Sequence, residues 1–142
     1  DVAASDALAD CINCVAGKYI DVTGSDAASD CIDCPGGKYV AVTGSGAPSD
    51  CIGCAAGKCV AVTGSDAVGG CIECEIGRTV NSAASTDCVD CAVGSQTETS
   101  NIFDGDGGAI DCRPCVAGKY SEQATGAAEC INCVVGKYVA VT

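Results

Sequence analysis

The pair Cys-x-x-Cys recurs seven times in this chain, and that recurrence constrains the fold more than any other feature. The pairs are Cys11/Cys14, Cys31/Cys34, Cys51/Cys54, Cys71/Cys74, Cys88/Cys91, Cys112/Cys115 and Cys130/Cys133. The first members of the first four fall 20 residues apart. The consensus reads C-I-x-C-x-x-G-K-Y-V-A-V-T-G-S-x-A-x-x-D before the next Cys. Gly17, Gly37, Gly57, Gly77, Gly94, Gly118 and Gly136 each sit three places after the second Cys. An acidic residue precedes the first Cys at Asp10, Asp30, Asp50, Asp87, Asp111 and Glu129; Gly70 is the exception. Self-similarity at a fixed short period marks a stack of small units, each unable to bury a core alone.

Composition sharpens this. The 48% hydrophobic content is inflated by 22 Ala and 15 Cys; Val, Ile, Leu and Phe number only 27 of 142 residues. Burial is worth ~25 cal/mol per Å², so an ordinary core is out of reach. A Cys share of about 11% exceeds the roughly 8–10% of cross-linked scaffolds. Covalent or metal cross-links must therefore offset an ordering entropy of about 1–2 kcal/mol per residue. The absence of His removes Ser-His-Asp and Cys-His catalysis and His-ligated metals. A net charge of −12 with no basic patch makes the chain a poor nucleic-acid binder. No apolar run approaches the ~18 residues of a membrane span.

Residues 1–11 align with residues 21–31, and the sequence ends within a further repeat, so a segment of a longer array is expected. The divisions are 1–13 (partial), 14–33, 34–53, 54–73, 74–90 (short), 91–114 (long loop), 115–132 and 133–142 (partial). Lys18 to Thr23 alternates, with Tyr19, Asp21 and Thr23 on one side and Lys18, Ile20 and Val22 on the other; this predicts a short strand. A turn follows, with Gly24 free to take positive φ. Residues 95–111 are expected to form a longer polar, Gly-rich surface loop.

Two chemistries suit the cysteines. C-x2-C-x16-C-x2-C lies within the range of four-cysteine zinc sites, and disulfides are the other reading. Seven pairs cannot be grouped two by two, the first gaps are near-identical, and the acidic Ala/Gly/Ser-rich chain looks secreted; these favour disulfides. A redox C-x-x-C would need a βαβ context, which is absent. Pairing inside one C-x-x-C closes too small a ring to stabilise much. Pairing each second Cys with the next first Cys gives Cys14–Cys31, Cys34–Cys51, Cys54–Cys71, Cys74–Cys88, Cys91–Cys112 and Cys115–Cys130. Each loop of about 18 residues then contributes on the order of 3 kcal/mol. The loops are joined by only two residues, such as Ile32-Asp33, which predicts a stiff array. The fold class expected is small and disulfide-rich: an elongated tandem-repeat rod of short β-hairpin and loop modules, with little helix and no large hydrophobic core. Cys11 and Cys133 are left as half-cystines directed at flanking repeats. Cys59 replaces the Tyr of the G-K-Y motif and is either an unpaired, partly buried thiol or an intermolecular cross-link.

The motif C-x-x-G-x-Y, a turn, then Cys-x-x-Cys resembles the ephrin-receptor-like cysteine-rich repeat. It is also similar to the smallest module of tumour-necrosis-factor-receptor ectodomains. The resemblance implies the same disulfide pairing, with the Tyr packed beside the disulfide. It covers Cys14, Gly17, Tyr19 and Cys31, and the equivalent sets Cys34, Gly37, Tyr39, Cys51 and Cys115, Gly118, Tyr120, Cys130. Cys59, Thr79 and Gln96 depart from it at the Tyr position. Compositionally the array also resembles ciliate immobilisation antigens and algal flagellar-hair proteins.

Other candidate sites are weaker. Asp104, Asp106 and Asp111 are candidate calcium ligands, although an EF-hand needs a third ligand where Gly108 stands. The acidic residue before each Cys is expected to cap a turn. No Asn-x-Ser/Thr sequon occurs. Thr23, Ser25, Thr43, Ser45, Thr63 and Ser65 on the repeated turns, with Thr97, Thr99 and Ser100 in the long loop, are candidate O-glycosylation positions. The expected function is non-enzymatic: a structural subunit of an extracellular fibre or cell-surface appendage that self-associates, with no nucleic-acid partner and no resident cofactor beyond the calcium candidate. The competing expectation is the ectodomain of a surface receptor or adhesin, or a coat antigen, binding a protein ligand.

Overall fold

The computed structural model describes residues 11–97, 109–122, 127 and 129–139. Within them the chain folds as six small antiparallel hairpins with no α-helix. β1 (Lys18–Tyr19) pairs with β2 (Ile32–Asp33), β3 (Lys38–Tyr39) with β4 (Ile52–Gly53), and β5 (Lys58–Cys59) with β6 (Ile72–Glu73). β7 (Arg78–Thr79) pairs with β8 (Val89–Asp90), β9 (Ser95–Thr97) with β10 (Cys112–Pro114), and β11 (Lys119–Tyr120) with β12 (Ile131–Asn132). The first strand of each hairpin lies at the G-K-Y position, where the third, fourth and fifth hairpins carry Lys58–Cys59, Arg78–Thr79 and Ser95–Thr97. The second contains the two residues inside the next Cys-x-x-Cys, extended by Cys112 in the fifth hairpin. The two-residue joint between loops is thus itself a strand, held to the preceding loop.

Each hairpin is closed by a disulfide: Cys14–Cys31, Cys34–Cys51, Cys54–Cys71, Cys74–Cys88, Cys91–Cys112 and Cys115–Cys130. These are the pairs that the loop-closure reading and the resemblance both imply. Twelve cysteines are therefore bonded to one another rather than available as zinc thiolates. A hairpin of two-residue strands is marginal in water, and closing it covalently supplies what the ladder lacks.

The strand expected over Lys18–Thr23 is shorter than its alternation suggests. Pairing stops at Tyr19 because the next amide, of Ile20, donates to Ser45 O at 3.0 Å in the following loop. The chain then bends through Gly24, at φ +76°. After the bend, Ala28–Asp30, Pro48–Asp50 and Val68–Gly70 form single 3-10 turns that lead into the first Cys. Asp50 Oδ2 accepts from the amides of Gly46 (2.9 Å) and Ala47 (3.1 Å), and Asp30 Oδ2 from Ala27 (3.4 Å). That satisfies amides at the start of the turn. Asp87 and Asp111 instead accept from the cysteine amide that follows them.

The core is a series of small clusters. Val40 packs with Cys34 and Cys51, Val60 with Cys54 and Cys71, and Val80 with Cys74 and Cys88. Tyr19 closes the first cluster and Tyr39 the second. Tyr19 and Tyr39 therefore lie beside the disulfide of the next loop, so each joins two loops instead of finishing its own.

Candidate functional site: the joint between loops

Successive loops are joined by backbone hydrogen bonds that repeat with the sequence. Gly17 N donates to Val40 O (2.8 Å), Gly37 N to Val60 O (2.7 Å) and Gly57 N to Val80 O (2.7 Å). Ile20 N, Val40 N and Val60 N donate to the carbonyls of Ser45, Ser65 and Ser85, at 3.0, 3.1 and 3.1 Å. In the reverse direction Gly44 N, Gly64 N and Ala84 N reach Cys14 O, Cys34 O and Cys54 O, each at 2.8 Å. Parallel bridges Tyr19–Ser45, Tyr39–Ser65 and Cys59–Ser85 lie in the same joints. Three consecutive joints thus share one geometry.

The contact reaches further than the adjacent loop. A methyl group at Gly17 would fall 2.2 Å from Gly64 O, and one at Gly37 would fall 2.0 Å from Ala84 O, each two loops on. Gly17 and Gly37 also adopt φ of +87° and +84°. Both the approach and the backbone conformation require glycine there. Nearest-neighbour stacking, the ordinary pattern for repeat arrays, is here supplemented by a second-neighbour contact.

The later joints keep the bond and change the partner. Gly77 N donates to Thr97 Oγ1 (3.2 Å), and Gly94 N to Ser121 Oγ (3.1 Å). Val80 N donates to Ala109 O (3.2 Å). At the Tyr position, Thr79 Oγ1 donates to Ala109 O (2.9 Å), and Gln96 Oε1 accepts from Cys130 N (2.5 Å). Polar side chains thus replace aromatic packing where loop lengths vary. The sequence shows Thr79 and Gln96 as departures without showing their role, because their partners lie 30 and 34 residues away.

Cross-strand charge completes several hairpins. Lys18 Nζ lies 2.6 Å from Asp33, and Lys58 Nζ lies 3.6 Å from Glu73. Arg78 meets Asp90 at 2.9 Å and Asp87 at 3.4 Å, and it donates to Cys88 O. Desolvation pushes the Tyr120 hydroxyl above the ordinary tyrosine range, and Glu122, which accepts its hydrogen bond at 3.3 Å, raises it further.

The O-glycosylation expectations divide. Thr23, Ser25, Thr43 and Thr63 are exposed. Ser45, Ser65 and Thr97 are not: they are 4%, 9% and 2% exposed, which corrects the surface reading. The two serines occupy the inter-loop bridges, and Thr97 holds the amide of Gly77. Thr99 and Ser100 lie outside the described residues, as do the calcium candidates Asp104 and Asp106. Asp111 is exposed and accepts from Cys112 N at 2.8 Å. Among the described residues no three His, Cys, Asp or Glu side chains cluster as a metal site would require. Cys11 is an exposed thiol, and Cys59 and Cys133 are half-buried thiols.

The chain is a small disulfide-rich protein of repeated two-strand hairpins. Its disulfides fit a secreted or extracellular setting, and no helix among the described residues is long and apolar enough to cross a membrane. Neither a protein-family model nor a curated protein sequence matches it.

Proposed function

We propose that this chain is a structural subunit of an extracellular fibre or cell-surface appendage, a disulfide-stapled rod that self-assembles. The observation that carries the reading is the recurrence of one joint. When the same donor and acceptor meet at 2.7–2.8 Å across three successive loops, each added loop repeats the placement of the last. Such a stack transmits shape, and its role is mechanical rather than catalytic. Val22, Val42 and Val62 recur on the outside at 63%, 62% and 65% exposure, a regular apolar row suited to lateral packing between copies.

Negative-stain electron microscopy of the native chain without reductant tests this. Continuous filaments with a regular axial repeat are expected. Isolated particles at high concentration would contradict it. They would favour the second reading, a receptor or adhesin ectodomain. One observation supports that reading: an open cleft lined by Asn81, Ser82, Ser85, Thr86 and Asp87, where the shortest loop interrupts the regular surface.

A further inference from the structure

Three sulfur atoms meet where the 74–88 loop stacks on the 54–71 loop. Cys59 stands where Tyr19 and Tyr39 stand in the preceding loops. Like them, it packs against the disulfide of the next loop. Its Sγ lies 3.4 Å from Sγ of Cys88, which is bonded to Cys74. Pairing of Cys59 with Ile72 on one side and its bridge to Ser85 on the other hold the thiol in that contact. Cys74 and Cys88 are 7% and 4% exposed, so the disulfide is shielded from solutes while a resident nucleophile touches it. This pairing of nucleophile and electrophile separates Cys59 from a thiol that merely fills space.

We infer that Cys59, Cys88 and Cys74 form an internal thiol–disulfide exchange centre. Cys59 loses its proton to solvent, and its thiolate attacks Sγ of Cys88, the sulfur in contact. The Cys59–Cys88 bond forms as the Cys88–Cys74 bond breaks. The electron pair leaves on Cys74, which takes up a proton. One thiol and one disulfide are present before and after, so no oxidant or reductant is consumed. In the product the 54–71 loop is stapled directly to its neighbour, and the shortest loop has lost its own closure. The covalent framework at this joint therefore has two states, one closing a loop and one cross-linking two loops.

Disulfide mapping tests this on a chain carrying Cys11→Ser and Cys133→Ser, so that Cys59 is the one resident thiol. The oxidised protein is held at about pH 8, quenched with acid, trapped with excess maleimide and digested without reduction. The label is expected on both Cys59 and Cys74, together with a Cys59–Cys88 cross-linked peptide. Approach to that mixture should slow as the solution is acidified, because the thiolate is the attacking species. The Cys74 label should be lost entirely in a further Cys59→Ser variant. Label on Cys59 alone would overturn the proposal, and label on Cys88 would overturn the assigned direction of attack. If the serine background fails to fold, the unmutated chain gives the same readout, since its Cys11 and Cys133 peptides are distinct.

Discussion

Gly37 and Gly24 both take positive φ, yet they do different work. Gly24 has nothing within 4 Å of its absent side chain among the described residues, whereas a methyl at Gly37 would meet the Ala84 carbonyl. Gly24→Ala should therefore cost about 1 kcal/mol, the backbone price alone. Gly37→Ala should cost more than about 3 kcal/mol, because the stacked loop must also move. Denaturant melts under non-reducing conditions would read the difference. Ala84 is the single non-glycine residue at positive φ among the described residues, at +59°, and it stands where Gly44 and Gly64 stand in earlier loops. Ala84→Gly should stabilise by about 0.5–1 kcal/mol, net of the added freedom of the unfolded chain. A lowered denaturation midpoint would contradict that. Tyr120 gives a pH signal. Its folded pKa is raised, so its contribution is present below the ordinary tyrosine value and is lost as pH rises through the folded value. An ultraviolet titration should show a late-ionising tyrosine that shifts down in Glu122→Gln. The conformational need of Gly24 was legible in the turn signal. The second need at Gly17 and Gly37 was not, since it depends on a chain segment 47 residues away.

At the scale of the hairpin, one valine carries the packing in each of three successive loops: Val40, Val60 and Val80. Val60 is 3% exposed against the Cys54–Cys71 disulfide, and Val62, two residues on, is 65% exposed. Val60→Ala should cost about 2 kcal/mol. Val62→Ala should change stability by less than about 0.5 kcal/mol. Non-reducing denaturation would show both, and equal costs would mean the stack is not packed as described. The disulfide pattern was legible because Cys spacing and loop closure are local arithmetic. Strand length was not: alternation through Thr23 suggested a longer strand, but the amide of Ile20 is taken by Ser45 in the next loop. The buried hydroxyls of Ser45, Ser65 and Thr97 escaped sequence reading for the same reason. A serine after a turn glycine looks solvated until a neighbouring loop covers it.

At the scale of the whole chain, a regular stack is distinguished from a string of independent stapled beads by the bonds between loops. In both, six disulfides would close six loops. Only the stack protects amides whose acceptors lie in another loop. Native-state hydrogen exchange of the oxidised chain, followed residue by residue, measures this directly. The amides of Gly17, Gly37 and Gly57, with those of Gly44 and Gly64, should exchange together and slowly, close to the rate of global unfolding. If they exchange as fast as unprotected turn amides while the disulfides remain intact, the loops do not stack, and the proposed fibre loses its structural basis.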